Sequence, residues 1–428
     1  MRGCQKKTVS NITENSEITE KAYEIECELG GIATKAHRAK CINQVIYDSS
    51  AEFLEETASR EKFKSSRFME LALDFSTDMS DRKGASRLNR IRLEQKGISP
   101  TTYRNTVERE GKAIQKDIER KCEKAICKNG FDVDVENGVS CDFGFKTDES
   151  KTMELKDVRS AADELEIKEF DLSEYELQES AVNISVDDVC VKKQSDVRPK
   201  EEESTKKRRV NNTVVHVESD KGDYILNASS LFSALKMLIG FLLHHSLLGH
   251  QLIFFADGAK DIHKAIPIMF CLMNYKIILD WYHLKKKFQE QLSMALKGSK
   301  LRNEFLEELL PFLWYGNVSG AITLLRDIDR RKVRNYEVIE KLIEYLGRVR
   351  KTIPCYALRK QLGLRTSSNL GEKANDRIVA NRQKHNGMSW SDDGSVAFAT
   401  VSASFCNNEV SEWVYNHTIS LQPVKKAA

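Results

Sequence analysis

A chain of 428 residues, 40% hydrophobic and 31% charged, has room for two or three domains and enough apolar residues for a sizeable core, which argues against a disordered or fibrous protein. The net charge of +3 conceals a split: residues 131–188 hold 18 acids against 5 bases, and residues 281–382 hold 21 bases against 11 acids. The second block is a candidate polyanion surface, with a solvated helical face as the plainer alternative. The 10 cysteines include no CxxC pair and no Cys pair beside spaced histidines, so a zinc ribbon or finger is not expected. They are read as the reduced thiols of a cytoplasmic protein. The longest apolar run, Leu231 to Leu248, is broken by Lys236, His244 and His245 and reads as a core helix rather than a membrane span.

Residues 1–65 are polar and compatible with helix. Residues 66–128 read as a helical module: one helix from Phe68, a second from Asp81 to Glu94, a break at Gly97-Ile98, and a third from Thr101 through Ile118. Ser99-Pro100 is the start signal of that third helix, an N-cap hydroxyl followed by proline at the first helical position. A capped helix after a short turn, with Thr102, Arg104, Asn105 and Arg109 outward, resembles a helix-turn-helix and makes those four residues candidate DNA contacts. An ordinary helical hairpin is the alternative. Residues 129–180 form an acidic connector, partly helical from Ser160.

The pattern then changes. Val182-Asn183-Ile184-Ser185-Val186 alternates with period two, as a half-buried strand does, and the alternation extends to Lys193. A charged loop with the basic run Lys206–Arg209 follows, then strands at Val214–Val217 and Tyr224–Leu226, and a helix from about Ser229 to Gly249. Leu252–Ala256 and Lys276–Leu279 are short apolar runs, the mark of strands covered on both faces. Three strands in a meander, then helix, strand, helix, strand is the order of an α/β, ribonuclease-H-like fold. The expected catalytic domain is 181–283 plus 360–415, with a helical insertion at 284–359 and a C-terminal tail at 416–428.

Four acids fall at three places near strand or helix ends of this frame. Asp187 and Asp188 lie in the first strand, Asp257 ends the fourth, and Glu372 follows the helix start Ser368-Asn369-Leu370-Gly371. Strand-borne carboxylates plus a helix glutamate form an oxygen ligand set for two hard cations about 4 Å apart, which suits phosphodiester chemistry. Each acid also has a plain reading. Asp187 and Asp188 point to opposite faces, so only one can serve; Asp187 is preferred and Asp188 is the fallback. Asp257-Gly258 could be a strand-end turn, and Glu372 could complete a capping box with Asn369 as N-cap. A zinc-hydrolase alternative would use His263, His283, Asp257 and Asp280, but it lacks HxH or HExxH spacing. Lys285, Lys286 and Lys287 beside His283, and Arg377, Arg382 and Lys384 beyond Glu372, are candidate contacts to a DNA backbone. Trp281, Tyr282 and Trp390 could stack on an unpaired base, or simply pack.

Asp257-Gly258-Ala259, Leu279-Asp280-Trp281-Tyr282-His283-Leu284, Ser367 to Asp376, and Arg382 to Ser391 with its Gly387-Met388-Ser389-Trp390-Ser391 block together resemble bacterial insertion-sequence transposases of the Mutator-like DDE class, with the Lre-type and Kra-type families nearest. The resemblance spans roughly residues 180–415. It implies Asp187, Asp257 and Glu372 as the catalytic triad, spaced 257 − 187 = 70 and 372 − 257 = 115. It implies Asp280 and His283 as the supporting Asp/Cys-x-x-His element. It also implies two Mg²⁺ ions, with Mn²⁺ as a substitute, and as partners transposon terminal inverted repeats, target DNA and further copies of the chain in a dimer or larger synaptic complex, with no membrane. One departure is Asp188, where the family pattern has a small residue, so the choice within the pair stays open. The alternatives are a helix-turn-helix DNA-binding protein without catalysis and a ribonuclease-H-like nuclease without strand transfer.

Overall fold

The computed structural model describes residues 66–91, 97–134, 138–142, 144, 154–167, 181–194, 209–384 and 388–425, and the backbone of three strands before them. Those strands, β1 (Ser16–Cys27), β2 (Gly30–Cys41) and β3 (Gln44–Asp48), form an antiparallel meander in the order β1-β2-β3. The expected helical character of residues 1–65 is therefore corrected over these three strands. Alternating short charged and apolar residues, such as Glu24-Ile25-Glu26 and Lys35-Ala36-His37, carry a period of two that propensity alone hides.

Three helices follow: α1 (Ser66–Asp78), α2 (Asp81–Ile91) and α3 (Pro100–Lys128). Ser99 caps α3, its hydroxyl accepting from the Thr102 N–H at 3.0 Å with Pro100 just behind it. The helix runs ten residues past its expected end, because Ile114, Ile118, Cys122 and Ile126 keep one face apolar throughout. The acidic connector holds an unforeseen hairpin, β4 (Phe131–Asp134) with β5 (Gly138–Cys141), and then α4 (Leu155–Glu164).

The central sheet has five strands: β6 (Val182–Lys192), β7 (Arg209–Ser219), β8 (Gly222–Ala228), β9 (Leu252–Ala256) and β10 (Tyr275–Leu279). Their order is β10-β9-β6-β7-β8. β6, β7 and β8 are antiparallel neighbours, whereas β9 runs parallel to β6 and β10 parallel to β9. The molecule is thus α/β with a mixed sheet. Between the strands lie α5 (Leu231–His244), capped by Ser230, and α6 (Lys260–Met269). Each parallel connection needs such a crossover helix.

All five residues of β9 are buried because both faces of the sheet are covered. Leu252, Phe254 and Ala256 point into one apolar core, with Ile184, Val186, Phe241 of α5, Ile266 of α6 and Val107 of α3. Ile253 and Phe255 point the other way, into a second core built by a run of helices. These are α7 (Trp281–Ala295), α8 (Ser299–Trp314), α9 (Val318–Arg326), α10 (Tyr336–Val349) and α11 (Tyr356–Gln361). The chain then returns to the sheet through α12 (Asn369–Asn375), a π-helical turn (Asp376–Ala380), the short α13 (Asn381–Gln383), α14 (Asp392–Cys406) and α15 (Val410–Asn416).

Two expected boundaries dissolve. The 66–128 helices share the first core with the sheet, and α3 lies against α5 and α14. The expected tail at 416–428 is built in as far as it is described. Ile419 and Leu421 are fully buried, the Ile419 N–H donates to Asp117 Oδ2 at 2.9 Å, and Val424 bridges to Asp223. Among the described residues no helix is long and apolar enough to cross a membrane, and the seven described cysteines form no disulfide with one another.

Candidate functional site

Asp187 sits in β6 just beyond its pairing with β9, and Asp257 directly follows β9. Parallel pairing of the two strands therefore brings both residues to the point where β9 ends. Burial pushes the Asp187 carboxyl up to about 6; the neighbouring Asp257 adds to the rise and His283 opposes it. Asp257 Oδ1 accepts the Ala259 N–H at 2.8 Å, which closes the turn through Gly258 at φ 84° and fixes the carboxylate at the strand end. Asp188 points to the opposite side of β6. It accepts a hydrogen bond from the hydroxyl of Thr213, its cross-strand partner on β7. Asp187 is thus the member of the pair on the face that α12 covers.

α12 lies over β6 and β7 at close range, since a Cβ on Gly371 would stand 2.5 Å from the Ser185 Cβ. Glycine at this position lets the helix bearing Glu372 settle on the strand bearing Asp187. Asn375, on the same helix face three residues after Glu372, donates from its side-chain amide to Asp187 Oδ2. The π-helical turn begins at the next residue, Asp376. Sequence reasoning missed Asn375, although the Glu-x-x-Asn spacing carried the signal. The capping-box reading of Glu372 is corrected. Ser368, not Asn369, is the N-cap residue and caps nothing with its side chain, and Glu372 Oε1 lies 2.8 Å from His283 Nε2 instead.

Asp280 connects these parts. It is fully buried at the N-cap of α7, where Oδ1 accepts the His283 N–H at 2.8 Å. Its Oδ2 accepts both the N–H of Ser368 and, at 2.9 Å, the Ser368 hydroxyl. One carboxylate thereby ties the start of the helix carrying His283 to the start of the helix carrying Glu372. Asp280, His283 and Glu372 offer ligand atoms within 4.8 Å of one another, the one such group among the described residues. Both Asp280 oxygens are already engaged by N–H and O–H donors, so its chemistry is that of a clamp rather than a cation ligand. Glu372 is brought against His283 and does not join Asp187 and Asp257 in one group of that size. The four residues of the zinc alternative do not gather either among the described residues: His263 lies on α6 near Asp257, and His283 belongs with Glu372.

The expected DNA contacts separate into two classes. Thr102, Asn105 and Arg109 are exposed on α3, Arg109 pairing with Glu110 at 2.9 Å; Arg104 is half-buried and lies 3.4 Å from Asp81. Lys285, Lys286, Arg377 and Lys384 are exposed, and Lys287 lies over the ring of Tyr345. Arg382 is corrected. It is 1% exposed, donates to Asp81 Oδ1 at 2.7 Å and to the Ser76 carbonyl at 3.1 Å, and stacks on Trp390 and Phe398. It pins the first helices to the sheet domain and has no face left for DNA. Trp390 and Trp281 pack, the latter against Trp314 and Tyr356, while Tyr282 is exposed. Lys206 to Arg208 and residues 385–387 lie outside the described residues.

Neither protein-family models nor curated proteins give a match to this chain.

Proposed function

We propose that the chain is a DNA transposase whose catalytic domain is ribonuclease-H-like, with α7–α11 as a helical insertion before the last acid. The observation that carries this reading is the convergence of Asp187 and Asp257 where the fourth strand of a sheet ordered 5-4-1-2-3 ends. Three antiparallel strands are followed there by two parallel ones, and Glu372 comes in on a helix packed over the first strand.

The donor set fits hard divalent cations. Burial, and then the like charge of Asp257, lifts the Asp187 carboxyl, and a cation between the two acids would offset both. Asp187 and Asp257 would hold Mg²⁺, or Mn²⁺ in its place, and Glu372, paired with His283, would complete the set by turning toward them; when bound, the ions supply positive charge to the attacking and leaving oxygens. The chain's own residues do the positioning. Asn375 holds one oxygen of Asp187, His283 holds Glu372, and Asp280 locks the two helices together. Exposed Lys285, Lys286, Arg377 and Lys384 offset the charge of the DNA backbone near the acids.

In the first step a water oxygen bonds to the phosphorus at the transposon end, and the 3′ oxygen leaves with a proton. In the second, that 3′ hydroxyl oxygen bonds to a target phosphorus and displaces the target's own 3′ oxygen. Pairing two ends calls for at least two copies of the chain. A helix-turn-helix protein without catalysis is the weaker reading, because α3 is committed along much of its length to the core. Asp257→Asn tests the assignment: cleavage of DNA carrying the element's ends in Mg²⁺ should fall at least about a hundredfold while binding is retained. Cleavage at the wild-type rate would end the reading, and a nicked but never joined product would reduce it to a nuclease.

A further inference from the structure

The strand end that carries Asp257 also collects donors which the acid cluster does not use. Tyr345 of α10 is 6% exposed, and among the described residues no hydrogen-bond partner reaches its hydroxyl. That hydroxyl stands over Gly258, where a Cβ would come within 2.8 Å of it. Burial, opposed by Arg348 and reinforced by Asp257, pushes the phenol up to about 12, so it remains an O–H donor at neutral pH. A buried donor without an acceptor is costly unless something supplies one. A second orphan lies nearby: His263 Nε2 on α6 is buried without a partner among the described residues, and the charges of Arg348 and Asp257 both act on its ring.

Two cations converge on the same tyrosine. Lys287 Nζ from α7 lies 4.5 Å from the ring centroid, and the Arg348 guanidinium carbon lies 5.4 Å from it. Two positive side chains drawn to one ring repel each other, and the ring face compensates only partly. An anion with several acceptor oxygens would satisfy both cations and the hydroxyl at once, and a phosphodiester has that form.

We propose that Tyr345, Lys287 and Arg348 form a seat for a backbone phosphate of the DNA strand entering the Asp187–Asp257 site, so that the helical insertion sets which bond meets the acids. This rests on the DNA-processing reading given above. The seat joins α7 and α10 of the insertion to the turn after β9, which gives the insertion a direct part in aligning the substrate.

The test uses a labelled duplex spanning the border of the coding region and its flanking DNA. Binding is followed against NaCl concentration in the full-length Asp257→Asn protein, where cleavage does not intervene. Adding Arg348→Ala or Lys287→Ala should lower the slope of log K against log salt by about one each. Tyr345→Phe, which keeps the ring, should leave the slope unchanged and weaken binding about tenfold at fixed salt, the size of one hydrogen bond to a charged acceptor. Arg348 is exposed, so its variant reports on the seat even where Tyr345→Phe perturbs folding. Unchanged slopes and unchanged affinity in otherwise normal binding would remove the seat alone. Failure of the wild-type protein to bind the duplex would remove the DNA reading and the seat with it.

Discussion

Helices α1–α3 dissolve into the core on one side of the sheet, whereas α7–α11 keep a core of their own on the other. Both runs are amphipathic and both connect by short breaks. The first contributes Phe68, Leu88, Val107 and Ile118 to a cluster that also holds β6–β8, α5 and α14. The second packs Phe288, Leu309, Leu342 and Leu346 against one another and reaches the sheet through Ile253, Phe255, Ile278 and Leu279. The difference teaches that an apolar stripe fixes which helix face is buried but not what buries it. It also bears on function. A helical region that shares the central core is tied to the fold of the sheet, while one with its own core can be shaped around a ligand with less cost to the scaffold. The acid site lies beside the second region, which supplies His283.

Breaking the Arg382–Asp81 contact should give the largest effect. Burial pushes Asp81 up and Arg382 down even though each stabilises the charge of the other, so desolvation outweighs their attraction and neither tolerates loss of its partner. Arg382→Leu should cost about 3–5 kcal/mol in urea denaturation, within a single transition that includes the sheet. The double variant Asp81→Leu/Arg382→Leu should recover most of that loss. Exposed Arg377→Leu should change stability by less than about 0.5 kcal/mol. A separate early transition for the first helices would refute their integration.

At the acid site, Asp187 makes stability depend on pH. Its carboxyl is raised in the folded chain, chiefly by burial and then by Asp257, so its contribution is fully present below the ordinary value of 3.8 and is lost as pH rises through about 6. The difference of about 2 pK units corresponds to at most about 3 kcal/mol. Metal-free protein in chelator should therefore weaken between about pH 4 and about pH 7, and Asp187→Asn should flatten that decline. Glu409, pushed up to about 8 mainly by burial beside Tyr224, adds a decline of the same sign in the first core. The difference between wild type and variant is thus the quantity to read. Equal slopes would show that Asp187 is not held in a desolvated, like-charged place.

Local pattern made much of this legible. The alternation of β6, the unbroken apolar run of β9 and the helix start before Glu372 were all readable, because strand period, double burial and helix punctuation are short-range properties. Arg382 was misread because a basic residue near a glutamate looks the same on a DNA surface as beneath a tryptophan, and its partner Asp81 is 301 residues away. The resemblance implies Asp280 as a supporting residue, but its hold on Ser368 spans 88 residues and left no local trace. Tyr345 gave no signal at all, since only folding places its hydroxyl over Gly258.

The smallest and cleanest test is a pair of alanines, one in each helical region. Gly111 lies within α3, and a Cβ there would stand 2.3 Å from the carbonyl oxygen of Ala397 in α14. That contact is backbone against backbone, so the helices must part to admit a methyl group, and Gly111→Ala should cost about 1–3 kcal/mol despite alanine's better helix propensity. Gly347 lies within α10, where a Cβ meets nothing within 4 Å. Propensity then acts unopposed, and Gly347→Ala should stabilise by at most about 1 kcal/mol. The same substitution should therefore shift the melting temperature in opposite directions in the two regions. A gain at Gly111 would mean that α3 does not lie against α14 at this distance, and the contrast between the shared core and the separate one would lose its closest contact.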